Sequence, residues 1–441
     1  EKCNPNIKDM PTRKAVYDPG PEVTINDFNF SAKFRLSSIF SKDGMILSLN
    51  FSSGEWIIFL DNIILLSSKI ENSGMGDIMS KIKFIFANIK LFKIVKIILI
   101  IFVLTNIPKV YANNIKNSAV IFMYHKFGIS KYPSTNVTME QFNSHLEEFT
   151  KNKYNIKPIN FIIDTILNDG DLPDNTIGIS VDDADKSFLK NAWPLLKEKN
   201  IPVTLFVNTS TITPNNKNYL NWDQIRFLQS EGVQIGAHSH THNHMPGLSI
   251  DELRVEIETS NKIFLKELGK IPSLFAYPYG EADERIINLL KEYKFKVAFG
   301  QHSGVINETS NMYYLPRFSL NEKYSEIERV KFAAAAKGLG VYDFIPTNPT
   351  ISENPPYIGF SLLDQNLTKS LDCFVFDSEG TVEKELFKFN ERIEIRLKRK
   401  LNKGRSRINC TTKDANGDWR WYGHQFYLWN WWNIIWLIKS I

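Results

Sequence analysis

The chain of 441 residues is long enough for two or three domains, and its 43% hydrophobic and 23% charged residues are typical of a globular protein. This composition argues against a largely disordered chain. The formal net charge of +5 is spread along the sequence without a long block of like charge, so we expect no nucleic-acid partner. Composition leaves the oligomeric state open.

The first strong pattern along the chain is an export-type segment at residues 79–112. Lysines lead into the apolar run 97–107, and Val110-Tyr111-Ala112 follows, which is the order found in signal peptides. We expect cleavage near Ala112, with an uncleaved signal anchor as the alternative. Either outcome predicts an exported protein, periplasmic or extracellular. Residues 1–78 are then expected to be a non-native extension, or else a small β unit with strand-like runs at 45–51 and 56–59.

Residues 113–340 are predicted to form one catalytic domain, because strand and helix patterns alternate there in a regular way. Thr138 with Gln141 and Ser249 with Glu252 form capping boxes that predict helix starts, and Gly269 predicts a helix end. The predicted strands are 119–124, 177–181, 203–207, 233–237, 273–276 and 296–299. One predicted helix starts at the Thr138 capping box and runs to about 151, and another starts at the Ser249 capping box and runs to 268. The other predicted helices are 189–198, 223–230 and 284–293. This order predicts a parallel sheet or barrel with functional groups at the carboxyl ends of its strands.

Polar clusters follow three of these strands directly. They are Asp182-Asp183, the run from His238 to His242, and Tyr277-Pro278-Tyr279-Gly280. A hydrolytic zinc site needs three protein ligands, an open position and a nearby carboxylate.

Asp183, His238 and His242 can supply the ligands, which leaves Asp182 as the general base. A single histidine is more often structural, but four of the chain's eight histidines lie between 238 and 244, which favours a metal. Neighbouring residues on a strand point to opposite faces, so a strand end or bend is required for both aspartates to reach one site.

In this order and spacing, Asp182-Asp183, the His-Ser-x-x-His of 238–242 and Pro278-Tyr279-Gly280 resemble the polysaccharide deacetylase family. The resemblance covers about residues 117–320. Met123-Tyr124-His125 and residues 275–281 are similar to local patterns of its exported poly-N-acetylglucosamine deacetylase branch.

The resemblance implies a fold, a site and a reaction. The fold is a distorted (β/α) barrel with fewer than eight strands. Asp182 is the implied base, and Asp183, His238 and His242 are the implied ligands of a divalent metal, most often Zn²⁺. The backbone N–H of Tyr279 is the implied donor to the oxyanion. The implied substrate is an acetylated polysaccharide or oligosaccharide that loses acetate.

This chain departs from the family pattern at several site positions. Ala184 and Asp185 stand where the family usually has a glycine and often an aromatic residue, and Ala276 stands where many members have an arginine. Arg317 is the candidate to orient Asp182 instead. The usual late histidine that acts as general acid is missing. His125 is the preferred substitute and His302 the second. His240 and His244 are expected to be loop residues around the ligands, with His244 as the alternative ligand to His242 if the loop bulges.

After the barrel, prolines mark a linker at 341–357, and alternating residues predict a small all-β module at 358–427. Cys373 and Cys410 both lie in this module, and a disulfide between them is weighed evenly against two buried free thiols. The aromatic cluster 419–422 is interpreted as part of a β core in preference to a sugar-stacking platform. The Trp-rich tail, 428–441, is either a membrane-interface helix or a non-native extension.

Two classes of function remain open at this point. The favoured one is an exported, metal-dependent carbohydrate N-deacetylase, with membrane contact only through an uncleaved anchor or the tail. The alternative is a catalytically degenerate carbohydrate-binding or cell-envelope protein on the same scaffold, motivated by Ala184, Ala276 and the missing acid. A deacylase of a non-sugar amide is a third possibility that the motifs allow.

Overall fold

The computed structural model describes residues 115–151 and 153–428, together with the backbone course of four strands between residues 17 and 61. The chain divides into two units, Glu1–Lys109 and Val110–Ile441. The export-type segment 79–112 and the tail beyond Leu428 lie outside the described residues. Within the part described, no helix combines the length and the apolar character needed to cross a bilayer.

The described part of the first unit is one antiparallel sheet. Its strands are β1 (Tyr17–Asp27), β2 (Phe30–Ser41), β3 (Gly44–Phe51) and β4 (Gly54–Asp61). Each strand pairs with the next one in the chain. The strand-like runs predicted at 45–51 and 56–59 lie within β3 and β4.

The second unit begins with alternating strands and helices. In chain order these are β5 (Ala119–Tyr124), β6 (Lys126–Phe127), β7 (Asn136–Val137), α1 (Met139–Phe149), β8 (Asn155–Ile156), α2 (Ile159–Leu167), β9 (Thr176–Asp182), α3 (Trp193–Glu198), β10 (Thr204–Val207), α4 (Trp222–Ser230), β11 (Gln234–Ala237), α5 (Ile250–Leu268), β12 (Leu274–Ala276), α6 (Glu284–Glu292), β13 (Val297–Phe299), β14 (Phe318–Ser319) and α7 (Ile327–Ala335). Short 3₁₀ turns cover Thr209–Thr211, Met245–Gly247 and Pro278–Gly280.

These strands form a parallel sheet in the order β13-β12-β11-β10-β9-β5-β14, with β8 paired to β9. The two ends of the sheet approach each other, because the Gly300 N–H donates to the Leu315 carbonyl at 2.8 Å and the Leu315 N–H donates to the Ala298 carbonyl at 2.9 Å. The sheet is therefore a distorted (β/α) barrel whose path has seven strands, which confirms the predicted fold class.

Local signals account for much of this architecture. β5 and β9 are buried along their whole length, as expected for strands covered on both faces. Both predicted capping boxes are present, and Gly269 ends α5 with a left-handed φ of 71°. The predicted helix 189–198 instead begins as a π-helical turn, Phe188–Ala192, before α3. Pro194 explains the change, because it has no N–H to donate to the preceding turn.

The rest of the second unit is an all-β module, as predicted. Its strands are β15 (Lys337–Gly338), β16 (Val341–Ile345), β17 (Ile358–Leu362), β18 (Asp372–Asp377), β19 (Gly380–Val382), β20 (Lys384–Phe389), β21 (Arg392–Leu397), β22 (Gly404–Lys413) and β23 (Trp419–Leu428). They form two sheets, β15-β23-β22-β18-β19 and β16-β17-β21-β20. The linker predicted at 341–357 starts later than expected, because β16 pairs with β17 and its Val341 enters the module core.

The module core contains the two cysteines. Cys373 on β18 and Cys410 on β22 are directly opposite each other and form a disulfide, with their Cα atoms 4.0 Å apart. Within the aromatic cluster 419–422, Tyr422 packs against the module core, whereas Trp421 packs against Phe318 and Phe332 of the barrel. The cluster therefore serves the module core and its junction with the barrel.

Candidate metal centre

The Asp182–Asp183 pair lies where β9 ends and the chain bends. Asp183 and Ala184 have left-handed backbone angles, with φ of 75° and 57°. Such angles are rare outside glycine and persist only where the surrounding structure holds them. The bend meets the requirement deduced from the sequence. It brings the Asp183 carboxylate to within 3.6 Å of His238, whose charge also acts on Asp182.

The two unusual residues after the pair take part in the packing of the loop. Ala184 is fully buried, and its carbonyl accepts the Leu220 N–H at 3.0 Å. Asp185 accepts the Ser187 N–H at 2.9 Å and lies 3.6 Å from the Lys126 ammonium. Both residues therefore stabilise the loop beside Asp182.

Three potential metal ligands converge at the ends of β9 and β11. The Nε2 atoms of His238 and His242 are 3.2 Å apart, and Asp183 Oδ1 lies 3.6 Å and 3.3 Å from them, respectively. Ligands at zinc distances of about 2.0–2.2 Å around a tetrahedron are separated by about 3.4 Å. The spacing of these three atoms therefore suits one face of a tetrahedral site.

Hydrogen bonds orient both histidines. His238 Nδ1–H donates to the Ala276 carbonyl at 2.7 Å, which leaves Nε2 as the nitrogen with the free lone pair. The His242 backbone N–H donates to Ser239 Oγ at 3.1 Å, and left-handed φ angles of 61° at both residues turn the loop back on itself. Ala276, where many family members have an arginine, thus contributes through its backbone carbonyl.

The electrostatics of the cluster fit a bound cation. Among the described residues, Asp183 Oδ1 is buried and has no hydrogen-bond donor, a costly arrangement for a carboxylate unless a cation satisfies it. Burial, followed by the charge of His238, lowers the pKa of His242 to about 4. The imidazole is therefore neutral at pH 7, as a metal ligand must be. On these grounds Asp183, His238 and His242 fit a divalent metal.

Asp182 is held by a buried arginine. Arg317 Nη1 and Nη2 donate to its Oδ1 and Oδ2 at 2.7 Å and 2.9 Å, and both side chains are fully buried. Burial opposes ionisation of Asp182, but the charge of Arg317, aided by His238 and His125, outweighs it and lowers the pKa to about 2. Asp182 is therefore a carboxylate at any pH near neutral.

The two candidate general acids have different surroundings. His125 follows β5, is partly exposed, and is close enough for its charge to act on Asp182. His302 is 2% exposed and packs between the rings of Tyr314 and His424. Burial lowers the pKa of His302 well below its ordinary value. This geometry favours His125 over His302 as the group that meets a substrate.

The other two clustered histidines flank the ligands. His240 Nδ1 is 2.8 Å from the Thr209 hydroxyl. His244 Nδ1 is 2.7 Å from Glu281 Oε2, and its ring stacks on Tyr279 with centroids 4.1 Å apart. The Tyr279 ring also lies 4.7 Å from that of His242. Tyr279 therefore forms a wall beside the ligands, and His242, not His244, joins Asp183 and His238.

Two buried carboxylates that support the site were not predicted from the sequence. Glu256 on α5 accepts the N–H groups of His240 and Thr241 at 3.1 Å and 2.9 Å. Glu281 holds His244 from the turn after β12. Position 281 follows the Tyr-Pro-Tyr-Gly turn directly, which is a usable signal, whereas nothing local distinguishes Glu256 from the other acidic residues of α5.

Together these groups are suited to hydrolysis. A carboxylate that is kept ionised lies beside three atoms arranged to hold a Lewis-acidic cation, and such a pair can activate water and polarise a carbonyl.

The sequence is also similar to those of known deacetylases. Residues 169–298 match the family described as polysaccharide deacetylase. This range contains the aspartate pair, both histidine ligands and Tyr279, but not His125 or Arg317. A poly-beta-1,6-N-acetyl-D-glucosamine N-deacetylase of Staphylococcus aureus (strain N315) is 27% identical over 167 residues, which are 35% of this chain and 57% of that protein. The chain thus spans a little over half the length of that relative.

A further relative and two solved structures are similar over larger shares of their own chains. The putative polysaccharide deacetylase YxkH of Bacillus subtilis (strain 168) is 23% identical over 197 residues, 45% of this chain and 69% of that protein. The Streptococcus pyogenes deacetylase PplD in complex with acetate aligns with a TM-score of 0.46 and 18% identity over 50% of this chain and 99% of its own. IcaB from Ammonifex degensii aligns with a TM-score of 0.44 and 19% identity, over 50% and 98% respectively.

Proposed function

Because residues 169–298 match the family described as polysaccharide deacetylase, we propose that this chain belongs to that family and is a metal-dependent hydrolase that removes acetyl groups from a polysaccharide. The preferred target is the N-acetyl group of N-acetylglucosamine units. The observation that carries the proposal is the Asp183, His238 and His242 donor set, with separations of 3.2–3.6 Å, beside the buried Asp182–Arg317 pair.

Each site residue has a role in this reaction. Asp183, His238 and His242 hold the metal, with zinc preferred. When bound, the metal supplies Lewis acidity that favours deprotonation of water and polarises the acetyl carbonyl. Asp182 accepts the proton of the attacking water, and Arg317 keeps it ionised and oriented.

Two further groups complete the proposed mechanism. The backbone N–H of Tyr279 donates to the oxyanion that forms as water adds to the carbonyl. His125 donates a proton to the leaving amine, so that acetate and a free amino sugar result. A carboxylic acid with a pKa as low as that of Asp182 gives up its proton readily, which is consistent with a separate group serving the amine.

We place the enzyme outside the cytoplasm, acting on an extracellular or cell-envelope polysaccharide. The export-type pattern at residues 79–112 supports this location. The Cys373–Cys410 disulfide is also consistent with an oxidising compartment. Any attachment to the membrane occurs through an uncleaved anchor or the Trp-rich tail.

The test is acetate release from N-acetylglucosamine oligomers, including β-1,6-linked ones, by the zinc-loaded protein. Asp182→Asn, which keeps the shape of the side chain but removes the base, is expected to lower kcat by about 10²–10⁴-fold. If the wild-type protein bound the oligomers but released no more acetate than Asp182→Asn, the result would instead support the carbohydrate-binding alternative. Acetate release only from non-sugar acetamides would change the substrate class.

A further inference from the structure

The C-terminal module packs directly against the active-site end of the barrel. Its strand β23 approaches so closely that a side chain at Gly423 would overlap the Ser303 carbonyl oxygen. The Thr350 hydroxyl, between β16 and β17, donates to the Ala282 carbonyl at 2.9 Å. The module is therefore in contact with the segment that carries the Tyr279 turn.

Two module side chains hydrogen-bond the backbone of that turn. Gln425 Nε2 on β23 donates to the Gly280 carbonyl at 2.9 Å, and Gln425 is fully buried. Arg405 Nη1 on β22 donates to the Tyr279 carbonyl at 3.3 Å. Within the barrel, the Tyr314 hydroxyl also donates to the Gly280 carbonyl at 2.8 Å.

The turn needs such support because of its backbone conformation. Tyr279 has a φ of 58° and Gly280 a φ of 68°. A tyrosine adopts a left-handed angle only where its surroundings hold it. The module holds the carbonyls of Tyr279 and Gly280, which follow the Tyr279 N–H along the backbone. The same contacts therefore fix the direction of that N–H.

The same contacts extend to the ring of Tyr279. Arg405 Nε lies 3.8 Å from Glu281 Oε1, while Glu281 Oε2 holds His244, whose ring stacks on Tyr279. Burial raises the pKa of Glu281, and His244 and, to a smaller extent, the charge of Arg405 oppose this rise. One module residue therefore supports both the backbone and the ring of Tyr279.

We propose that Gln425 and Arg405 are positioning residues, through which the C-terminal module holds the Tyr279–Gly280 turn in the geometry that catalysis requires. The kinetic part of this inference rests on the proposed deacetylase function, while the structural part does not. Neither residue touches the reacting atoms. Their effect is exerted through the Tyr279 N–H and ring.

The first measurement is hydrogen–deuterium exchange of the peptide spanning residues 275–283 in the full chain. We expect the turn amides of Arg405→Ala and Gln425→Glu to exchange at least about fivefold faster than in the wild type. The matched control is Arg396→Ala, an exposed arginine of the same module that pairs with Glu394. Exchange as slow as in this control would overturn the proposal, whether or not the protein is active.

The second measurement separates positioning from general damage. We expect Arg405→Ala to lower kcat about tenfold, less than the roughly 100-fold or greater loss of an oxyanion donor, with little change in KM or bound zinc. Arg405→Lys, which keeps a charged donor, should recover part of the loss. A kcat equal to that of Arg396→Ala would contradict the kinetic part. If the wild-type protein released no acetate, the proposed function would be wrong. The hydrogen–deuterium exchange result would still decide whether the module holds the turn.

Discussion

At the residue scale, Asp182 and Asp183 are identical side chains whose surroundings give them different properties. Asp182 faces Arg317 in a fully buried ion pair, so it is ionised and has charged donors on both oxygens. Asp183 Oδ1 is buried, has no hydrogen-bond donor among the described residues, and faces the imidazoles of His238 and His242. The left-handed bend at Asp183 is what separates the two environments.

Arg317→Met is expected to destabilise the protein by about 3–5 kcal/mol at pH 7, because it leaves a buried carboxylate unpaired. In the wild type the pKa of Asp182 is about 2. The stabilisation from the pair is therefore complete above the unfolded-state pKa of about 3.9 and is lost as the pH falls through the folded value. In the variant, burial has lost its largest opposing charge and raises the pKa of Asp182 relative to the wild type, so protonation relieves the cost. Urea unfolding should show a smaller difference from wild type at pH 4 than at pH 7.

The control is Arg254→Met, which breaks an exposed bidentate pair with Glu292. Its cost should stay below about 1 kcal/mol at both pH values. A pH-independent loss in Arg317→Met would show that the charge of Asp182 is not the cause.

His242→Ala is expected to abolish zinc binding, because it removes one of three ligands. In the wild type, zinc should raise the melting temperature, since it binds only the folded chain. His240→Ala is the matched control, because its imidazole interacts with Thr209 and not with the ligands. Elemental analysis after dialysis should find about one zinc per chain in the control and far less in the variant. Full zinc content in His242→Ala would mean that the ligand set is wrong.

At the element scale, the site depends on strand ends held by neighbouring helices. The loop after β11 carries both histidine ligands and has left-handed angles at Ser239 and His242. Helix α5 supports this loop through Glu256, and its Ser260 hydroxyl donates to the Ser239 carbonyl at 3.3 Å. The loop conformation therefore results from contacts with a helix that follows it in the chain.

Glu256→Met is expected to weaken zinc binding by about 10–100-fold, the usual effect of removing a group that orients the ligands. The variant leaves the N–H groups of His240 and Thr241 without their acceptor, at a cost of about 1–3 kcal/mol in stability. Competition with a zinc chelator measures the affinity. Glu258→Met, which removes an exposed carboxylate of the same helix that accepts from Tyr293, should leave the affinity unchanged. Equal affinities in the two variants would assign Glu256 to stability alone.

At the scale of the whole second unit, the barrel closes through β14 and its preceding segment, and the β module packs on the closed barrel. Closure brings Arg317 to Asp182 across 135 residues of sequence. The module in turn brings Gln425 to Gly280 across 145 residues. Both contacts at the active-site end therefore depend on the tertiary fold as a whole.

Replacing both cysteines by serine, Cys373→Ser with Cys410→Ser, is expected to destabilise the module by about 2–4 kcal/mol. The disulfide closes a loop with a sequence separation of 37 and lies in the module core. Guanidinium unfolding with and without a reducing agent measures the effect. The reducing agent should destabilise the wild type and leave the serine variant unchanged. Equal unfolding curves for both proteins without reductant would show that the disulfide adds no stability.

The sequence by itself determined the features that depend on near neighbours in the chain. Strand and helix alternation predicted the barrel, and the capping boxes at Thr138 and Ser249 predicted helix starts that the structure confirms. The aspartate pair and the clustered histidines predicted a metal site, because the strands before them deliver these groups to one edge. Whether they perform the proposed roles stays a prediction.

Only the tertiary structure decided which distant groups meet. Arg317 was the candidate to orient Asp182, but it reaches Asp182 only because the barrel closes. Glu256 and Gln425 have no local pattern that assigns them to the site. The choice of His242 over His244 as a ligand depends on the loop that carries them, and its left-handed turns are not predicted by residue propensities. The physical reason is the same in each case: periodicity and capping act over a few residues, whereas these contacts form only when segments far apart in sequence pack together.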